Sequence, residues 1–156
     1  MYSKAMFSTA KRIMGQHEEA EDALQEAFVD AFTKISSFKN EATFGSWLKT
    51  IVIHKCLSKL RSQKVIFESV GENFEVAISA DEPDFESNMA TVDAIKKAME
   101  DLPNGYRFIV SLHLFEGYDH AEIAEILQIK EVSSRTQFIR GKAKLVEILK
   151  IKNIAI

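Results

Sequence analysis

The sequence predicts an all-α protein of two small helical domains joined by a flexible acidic linker, the C-terminal domain containing a helix-turn-helix. Three observations carry that expectation. Apolar residues recur at three- and four-residue spacing through most of the chain, only Pro83 and Pro103 are present to break helices, and the charge balance changes sign in the middle. Residues 1–64 hold 10 Lys/Arg against 7 Asp/Glu, residues 65–100 hold 2 against 9, and residues 101–156 hold 8 against 7. The net charge of -3 therefore hides two neutral-to-basic segments around an acidic one, as expected if the ends meet phosphate and the middle does not.

With 156 residues, 46% of them hydrophobic, the chain can bury ordinary helical cores. Cys56 alone permits no internal disulfide. No apolar run is long enough for a membrane span and the N-terminus does not read as a signal peptide, so no membrane insertion and a cytoplasmic location are expected.

In chain order, Ala5, Met6, Thr9, Ala10 and Ile13 keep helical spacing from Tyr2 to about Met14, and Gly15 is a stop. A second helix is expected over Glu18 to Ser36, with a continuous apolar stripe of Ala20, Ala23, Leu24, Ala27, Phe28, Ala31, Phe32 and Ile35. Its first turn is acidic, which suits the helix dipole. Thr43 can cap a third helix from Phe44 to about Gln63, whose apolar positions include Phe44, Trp47, Leu48, Ile51, Val52 and Leu57. Trp47, on the stripe of Leu48 and Ile51, reads as core more than as a stacking platform. From Thr43 to Lys64 there are five basic residues and no acids: Lys49, Lys55, Lys59, Arg61 and Lys64.

Residues 65–88 mix acids with Gly71, Pro83 and isolated phenylalanines and have no sustained period, so they read as the linker. Met89 to Leu102 resumes helix and Pro103 ends it; Gly105 to Phe115 follows as another helix, bearing Tyr106, Phe108, Ile109, Leu112 and Leu114. The stretch Tyr118 to Lys142 then reads as two helices and a tight turn. Asp119 can cap the first, which places Ile123, Ala124 and Leu127 on one face. After Gln128 and Ile129 the second, from about Glu131, carries Ser133, Arg135, Thr136, Gln137 and Arg140 and continues to Lys142 and Lys144. Such side chains read grooves and bind phosphate, although a helical hairpin with a basic outer face shows the same pattern.

The run Leu102-Pro103-Asn104-Gly105-Tyr106-Arg107 together with LHLFEGYDHAEIAEIL resembles the promoter-reading domain of bacterial RNA polymerase sigma factors of the extracytoplasmic-function (ECF) class. EDALQEAFVDAF and FKNEATFGSWL, in that order upstream, resemble the same family's N-terminal domain, and the resemblance covers about residues 2–64 and 89–149. It implies sigma domain 2 over residues 1–64, sigma domain 4 over 89–150 and a tail over 151–156. Asp22, Gln25, Glu26 and Asp30 would dock on core RNA polymerase. Lys39, Asn40, Glu41, Lys49, His54, Lys55, Lys59 and Arg61 would hold the minus-ten element, with capture of an unstacked base. Lys130, Ser133, Arg135, Thr136, Gln137, Arg140 and Lys142 would meet the minus-thirty-five element, with Ser133, Arg135, Thr136 and Gln137 on base edges and the others on backbone.

The chain departs from the family pattern at His54, where Asn is frequent, and at Gln128 and Val132, where small residues are usual. The family usually has another turn or more of helix ahead of the segment matching Tyr2, so either a truncated N-terminus or a misassigned start is expected. An anti-sigma factor is an expected partner by the same analogy.

His17, His113 and His120 show no ligand spacing with Cys56, and there is no Gly-rich phosphate loop, nucleophile elbow or isolated carboxylate pair. No metal, cofactor or catalytic activity is expected. The competing readings are a stand-alone helix-turn-helix regulator and a helical adaptor without a DNA role. Few apolar groups in residues 65–88 offset the cost of ordering them, so limited proteolysis should cut there first. Protection equal to that of the helical segments would contradict a loose tether.

Overall fold

The computed structural model describes residues 2–63 and 89–151; Lys64, the expected linker and residues 152–156 lie outside them. The described residues form seven α-helices with one 3-10 and one π-helical turn, and no strand. The chain divides into two compact units, Met1–Ile66 and Phe67–Ile156.

The first unit contains α1 (Tyr2–Met14), α2 (His17–Lys34) and α3 (Phe44–Ser62). Gly15 closes α1 with φ 80°, a conformation that costs glycine little, while its N–H donates to Lys11 O at 2.9 Å. The buried positions of α2 are mainly alanines, Ala20, Ala23, Ala27 and Ala31, with Leu24. Small side chains suit close packing of α1 and α3 on α2, and Met6, Ile13, Met14, Leu48, Val52 and Leu57 are buried in this unit.

Two apolar residues expected in that stripe are outside the core: Phe32 is 80% exposed and Ile35 54%. The buried stripe ends at Ala31, and the backbone tightens into a 3-10 turn over Ile35–Ser37 instead of continuing as α-helix to Ser36. Thr43 caps α3 as expected, its side chain accepting from Ser46 N–H at 3.2 Å. Beyond the expected residues, α3 also buries Ile53, Cys56 and Leu60. Burial pushes the Cys56 thiol up to about 12, which leaves it protonated and unreactive at neutral pH. Trp47 is half-buried, in an aromatic cluster with Phe38 (5.2 Å between ring centres) and Phe44 (5.6 Å), and Tyr2 meets Phe44 edge-on.

The second unit contains α4 (Met89–Met99), α5 (Asn104–Val110), a π-helical turn (Ser111–Phe115), α6 (His120–Leu127) and α7 (Glu131–Ile151). The fourth helix, expected to reach Leu102, ends at Met99; a turn follows in which Leu102 N–H donates to Met99 O, and the Leu102 side chain is buried. The single helix expected over residues 105–115 widens at Ser111, where Glu116 N–H reaches back five residues to Ser111 O at 3.1 Å. The change of winding turns Leu114 outward, 41% exposed, against the expectation of a core position.

Ile95, Ala98, Met99, Leu102, Val110, Leu145 and Leu149 form a core to which α4, α5 and α7 contribute. Gln128 takes the left-handed conformation (φ 57°, ψ 46°) that ends α6, and Ile129 N–H donates to Ala124 O at 3.0 Å. A glycine usually fills that position because a Cβ there is strained by roughly 1–2 kcal/mol. Gly141, inside α7, is required for a different reason. A Cβ on it would stand 3.0 Å from Val110 Cγ2 and 3.2 Å from Tyr106 Cβ. Glycine ordinarily costs a helix interior about 1 kcal/mol relative to alanine. Here the order should reverse, with Gly141→Ala destabilising the second unit by about 1–3 kcal/mol through overpacking. Thermal unfolding checks this, and a raised Tm would show that α5 and α7 can separate at little cost.

Candidate nucleic-acid interface

In the second unit, Asp119 caps α6 by accepting from Glu122 N–H at 2.8 Å, and that hydrogen bond holds its carboxyl below the usual carboxylate range. The cap fixes where α6 begins, and the Gln128 turn fixes where α7 begins. The first turns of α7 then divide sharply between inside and outside. Lys130, Glu131, Val132 and Arg135 are exposed, and Arg135 is ion-paired with Glu131 one turn back. Arg140 and Lys142 are half-buried.

Three residues expected to read base edges lie on the inner side: Ser133 is 6% exposed, Thr136 8% and Gln137 1%. Thr136 Oγ1 donates to Val132 O at 2.9 Å, so its hydroxyl is spent within the helix. Enclosure sets these three side chains apart from Arg135, which stands exposed beside them. Val132, 64% exposed one turn before Arg135, takes a place on the outer face that the sequence pattern did not assign to it.

In the first unit, Lys39, Asn40, Glu41, His54 and Arg61 are exposed and Lys49 is half-buried. Asn40 has φ 55°, so the loop between α2 and α3 turns through a left-handed residue. Lys55 and Lys59 face α2 rather than standing as unengaged cations. Lys55 Nζ is 2.8 Å from Asp30 Oδ2, Lys59 Nζ is 2.9 Å from Glu26 Oε1, and Gln63 Nε2 donates to Glu19 Oε1 at 3.1 Å. These are three rungs at four-residue spacing on α3. The hydrogen bond from Lys55 lowers the Asp30 carboxyl, and Asp30 in turn raises Lys55.

The rungs join two groups that the sequence pattern kept apart, since Glu26 and Asp30 were expected to dock a protein and Lys55 and Lys59 to hold DNA. Asp22 and Gln25 remain exposed on the outer face of α2, followed along it by Val29, 66% exposed, and Phe32. Beside the rungs a cleft of about 250 Å³ is lined by Asp30, Lys34, Thr50, Ile51, His54, Lys55 and Ser58. Thr50 and Ser58, one turn either side of His54, are short polar side chains that sequence reasoning passed over. Their four-residue spacing opposite Leu48, Val52 and Cys56 is the signal that marks them.

A capped helix, a left-handed turn and a long helix with an exposed arginine at its entry make up a helix-turn-helix. Residues 1–65 match the model for Sigma-70 region 2 and residues 93–145 that for Sigma-70, region 4. The chain is 31% identical over 140 residues to the ECF RNA polymerase sigma factor SigM of Mycobacterium tuberculosis, covering 89% of this chain and 68% of that protein. It is 27% identical over 155 residues to the ECF RNA polymerase sigma factor SigW of Bacillus subtilis, covering 93% of this chain and 83% of that one. In fold it is similar to the sigma factor RpoE of Bartonella quintana, solved in complex with the anti-sigma factor NepR, with a TM-score of 0.63 at 22% identity over 96% of this chain and 92% of that one. The chain belongs to the ECF class of the sigma-70 family and is a transcription initiation factor. Sigma factors are regulatory, non-enzymatic proteins as a family. Among the described residues no helix is long and apolar enough to cross a membrane.

The Asp30–Lys55 rung makes a pH-dependent contribution whose sign follows from the lowered carboxyl. The contribution is complete above Asp30's ordinary value of 3.8 and is lost as pH falls through its lower value in the folded protein. Asp30→Asn should therefore show a smaller loss of thermal stability than the parent between about pH 5 and pH 2. Equal acid losses in the two proteins would mean that the rung is screened to nothing.

Proposed function

We propose that the first unit docks on core RNA polymerase through the outer face of α2 and engages the minus-ten element through the α2–α3 loop and the Thr50, His54 and Ser58 row, while the second unit reads the minus-thirty-five element with the entry of α7. The two family models and the ECF relatives support this division of labour; in this reading the protein acts at bacterial promoters in the cytoplasm, has no catalysis of its own and is held in check by an anti-sigma factor.

The observation that carries the docking reading is the exposure of Phe32 and Val29 in line with Asp22 and Gln25. An aromatic ring left 80% in water is costly to a lone domain and valuable as an interface anchor. Glu26 and Asp30 then support the docking face through their lysine partners instead of forming its centre. On α7, Arg135 is the base reader and Val132 beside it offers an apolar contact to a thymine methyl, whereas Lys130, Arg140 and Lys142 position the helix on phosphate.

Competition for core polymerase against another sigma factor tests the first half. Phe32→Ala and Asp22→Lys should each weaken core binding, the former by roughly 1–2 kcal/mol as an anchor, with circular dichroism unchanged. Binding of holoenzyme to a randomised minus-thirty-five element at several salt concentrations tests the second. Arg135→Ala should cost about 1–3 kcal/mol on the preferred sequence and relax one or two positions, while Lys142→Ala weakens all sequences alike and flattens the salt dependence. A stand-alone regulator would instead bind its operator without polymerase.

A further inference from the structure

Two histidines outside every surface described above meet inside the helix-turn-helix. The rings of His113, in the π-helical turn, and His120, at the start of α6, stack with centres 4.4 Å apart and 16° between their planes. Both contact Phe138 of α7 edge-on, at 4.5 Å and 5.4 Å. Nδ1 of His113 lies 2.9 Å from Tyr118 O, and because a carbonyl only accepts, that nitrogen carries the proton. Nδ1 of His120 lies 2.9 Å from Ser134 Oγ. The pair thereby ties together the π-helical turn, α6 and α7, and Ser134 directly precedes the exposed Arg135.

We propose that His113 and His120 are positioning residues for the recognition helix, a stacked pair that sets α7 against α6 while His120 is neutral, so that minus-thirty-five recognition weakens as pH falls below neutral. The promoter half of the proposal rests on the function assigned above to α7; the stacked pair does not. Charge on His120 would set an imidazolium against the facing ring in a half-buried site, and the hydrogen-bond partners of the two rings are a carbonyl and a hydroxyl, neither of which neutralises it.

The charged and titratable groups facing His120 are His113 from the π-helical turn, Arg135 and Glu131 from α7, and Asp119 from its own cap. Burial, His113 and Arg135 oppose charge on His120, and the two carboxylates do not offset them, so its pKa lies below 6.5. For a histidine lowered in this way, the stabilising contribution is complete above 6.5 and is lost as pH falls from there through the folded value. Each unit of lowering corresponds to about a tenfold change in the equilibrium between closed and open arrangements.

The test uses the full chain, first by ring NMR titration and then as holoenzyme on a fixed promoter between about pH 8 and pH 5.5. His120 should titrate below 6.5, and His113→Phe, which keeps the stack but removes the facing charge, should move that midpoint upward. Parent holoenzyme should lose minus-thirty-five affinity in acid, and both His113→Phe and His120→Gln should lose less. A purely structural role would lower affinity at every pH without changing the profile, and that result overturns the proposal. So does a His120 midpoint at or above 6.5, or one unmoved by His113→Phe. Holoenzyme with no minus-thirty-five preference even at pH 8 would defeat the promoter reading alone, and the ring midpoints then decide the pair by themselves.

Discussion

Each unit depends on helices that approach one another more closely than ordinary side chains allow. In the first unit, Ala20, Ala23, Ala27 and Ala31 make the inner face of α2 little thicker than its backbone. In the second, Gly141 lets Val110 and Tyr106 of α5 lie against the α7 backbone. A three-helix unit has little apolar area to bury, so its stability comes from the number of close contacts made by the few large residues it has. Met14, Leu48 and Ile53 are almost wholly enclosed in the unit that these alanines help to close. Larger residues on α2 would push α1 and α3 apart and open the core they share.

Close packing of α2 on α3 also determines what their surfaces can do. Once the two backbones are near, Lys55 and Lys59 reach Asp30 and Glu26, and the charges that composition offered to outside partners neutralise one another. Exposed pairs of this kind add little stability, so their effect is mainly on the pattern of the surface. Charge is withdrawn from the seam, which leaves Asp22, Gln25, Val29 and Phe32 on the outer side of α2 and the polar row at Thr50, His54 and Ser58 on the outer side of α3.

The parts of the fold legible in the sequence were those in which one physical requirement singles out one residue type. Thr43 and Asp119 were readable as caps because orphan N–H groups at a helix start favour a short side-chain oxygen, and Gln128 was readable as the turn because the motif's spacing left it no other role. The α2 face was readable as far as Ala31. Phe32 and Ile35 were misassigned because periodicity reports which side of a helix is apolar and not where the neighbouring helices stop covering it. The π-helical turn at Ser111–Phe115 has no compositional signature, and the exposure of Leu114 follows from it.

The recognition helix shows the same limit most clearly. Polar residues at a helix-turn-helix entry invite assignment to DNA, yet here Ser133, Ser134, Thr136 and Gln137 are enclosed. Small hydroxyl side chains on the inner face serve the crossing of α6 over α7 in the way that alanines serve α2, with the difference that each hydroxyl needs a partner once buried. Thr136 finds one in Val132 O and Ser134 in His120. An alanine face would pack as closely but would leave the rotation of α7 about its own axis set by shape alone. The Ser134–His120 hydrogen bond crosses between the two helices and so limits that rotation, whereas the Thr136 hydroxyl is satisfied within α7 itself. The buried polar residues thus bear on the outer face of α7 without being part of it, through the position in which Ser134 and His120 hold the turn that carries Arg135.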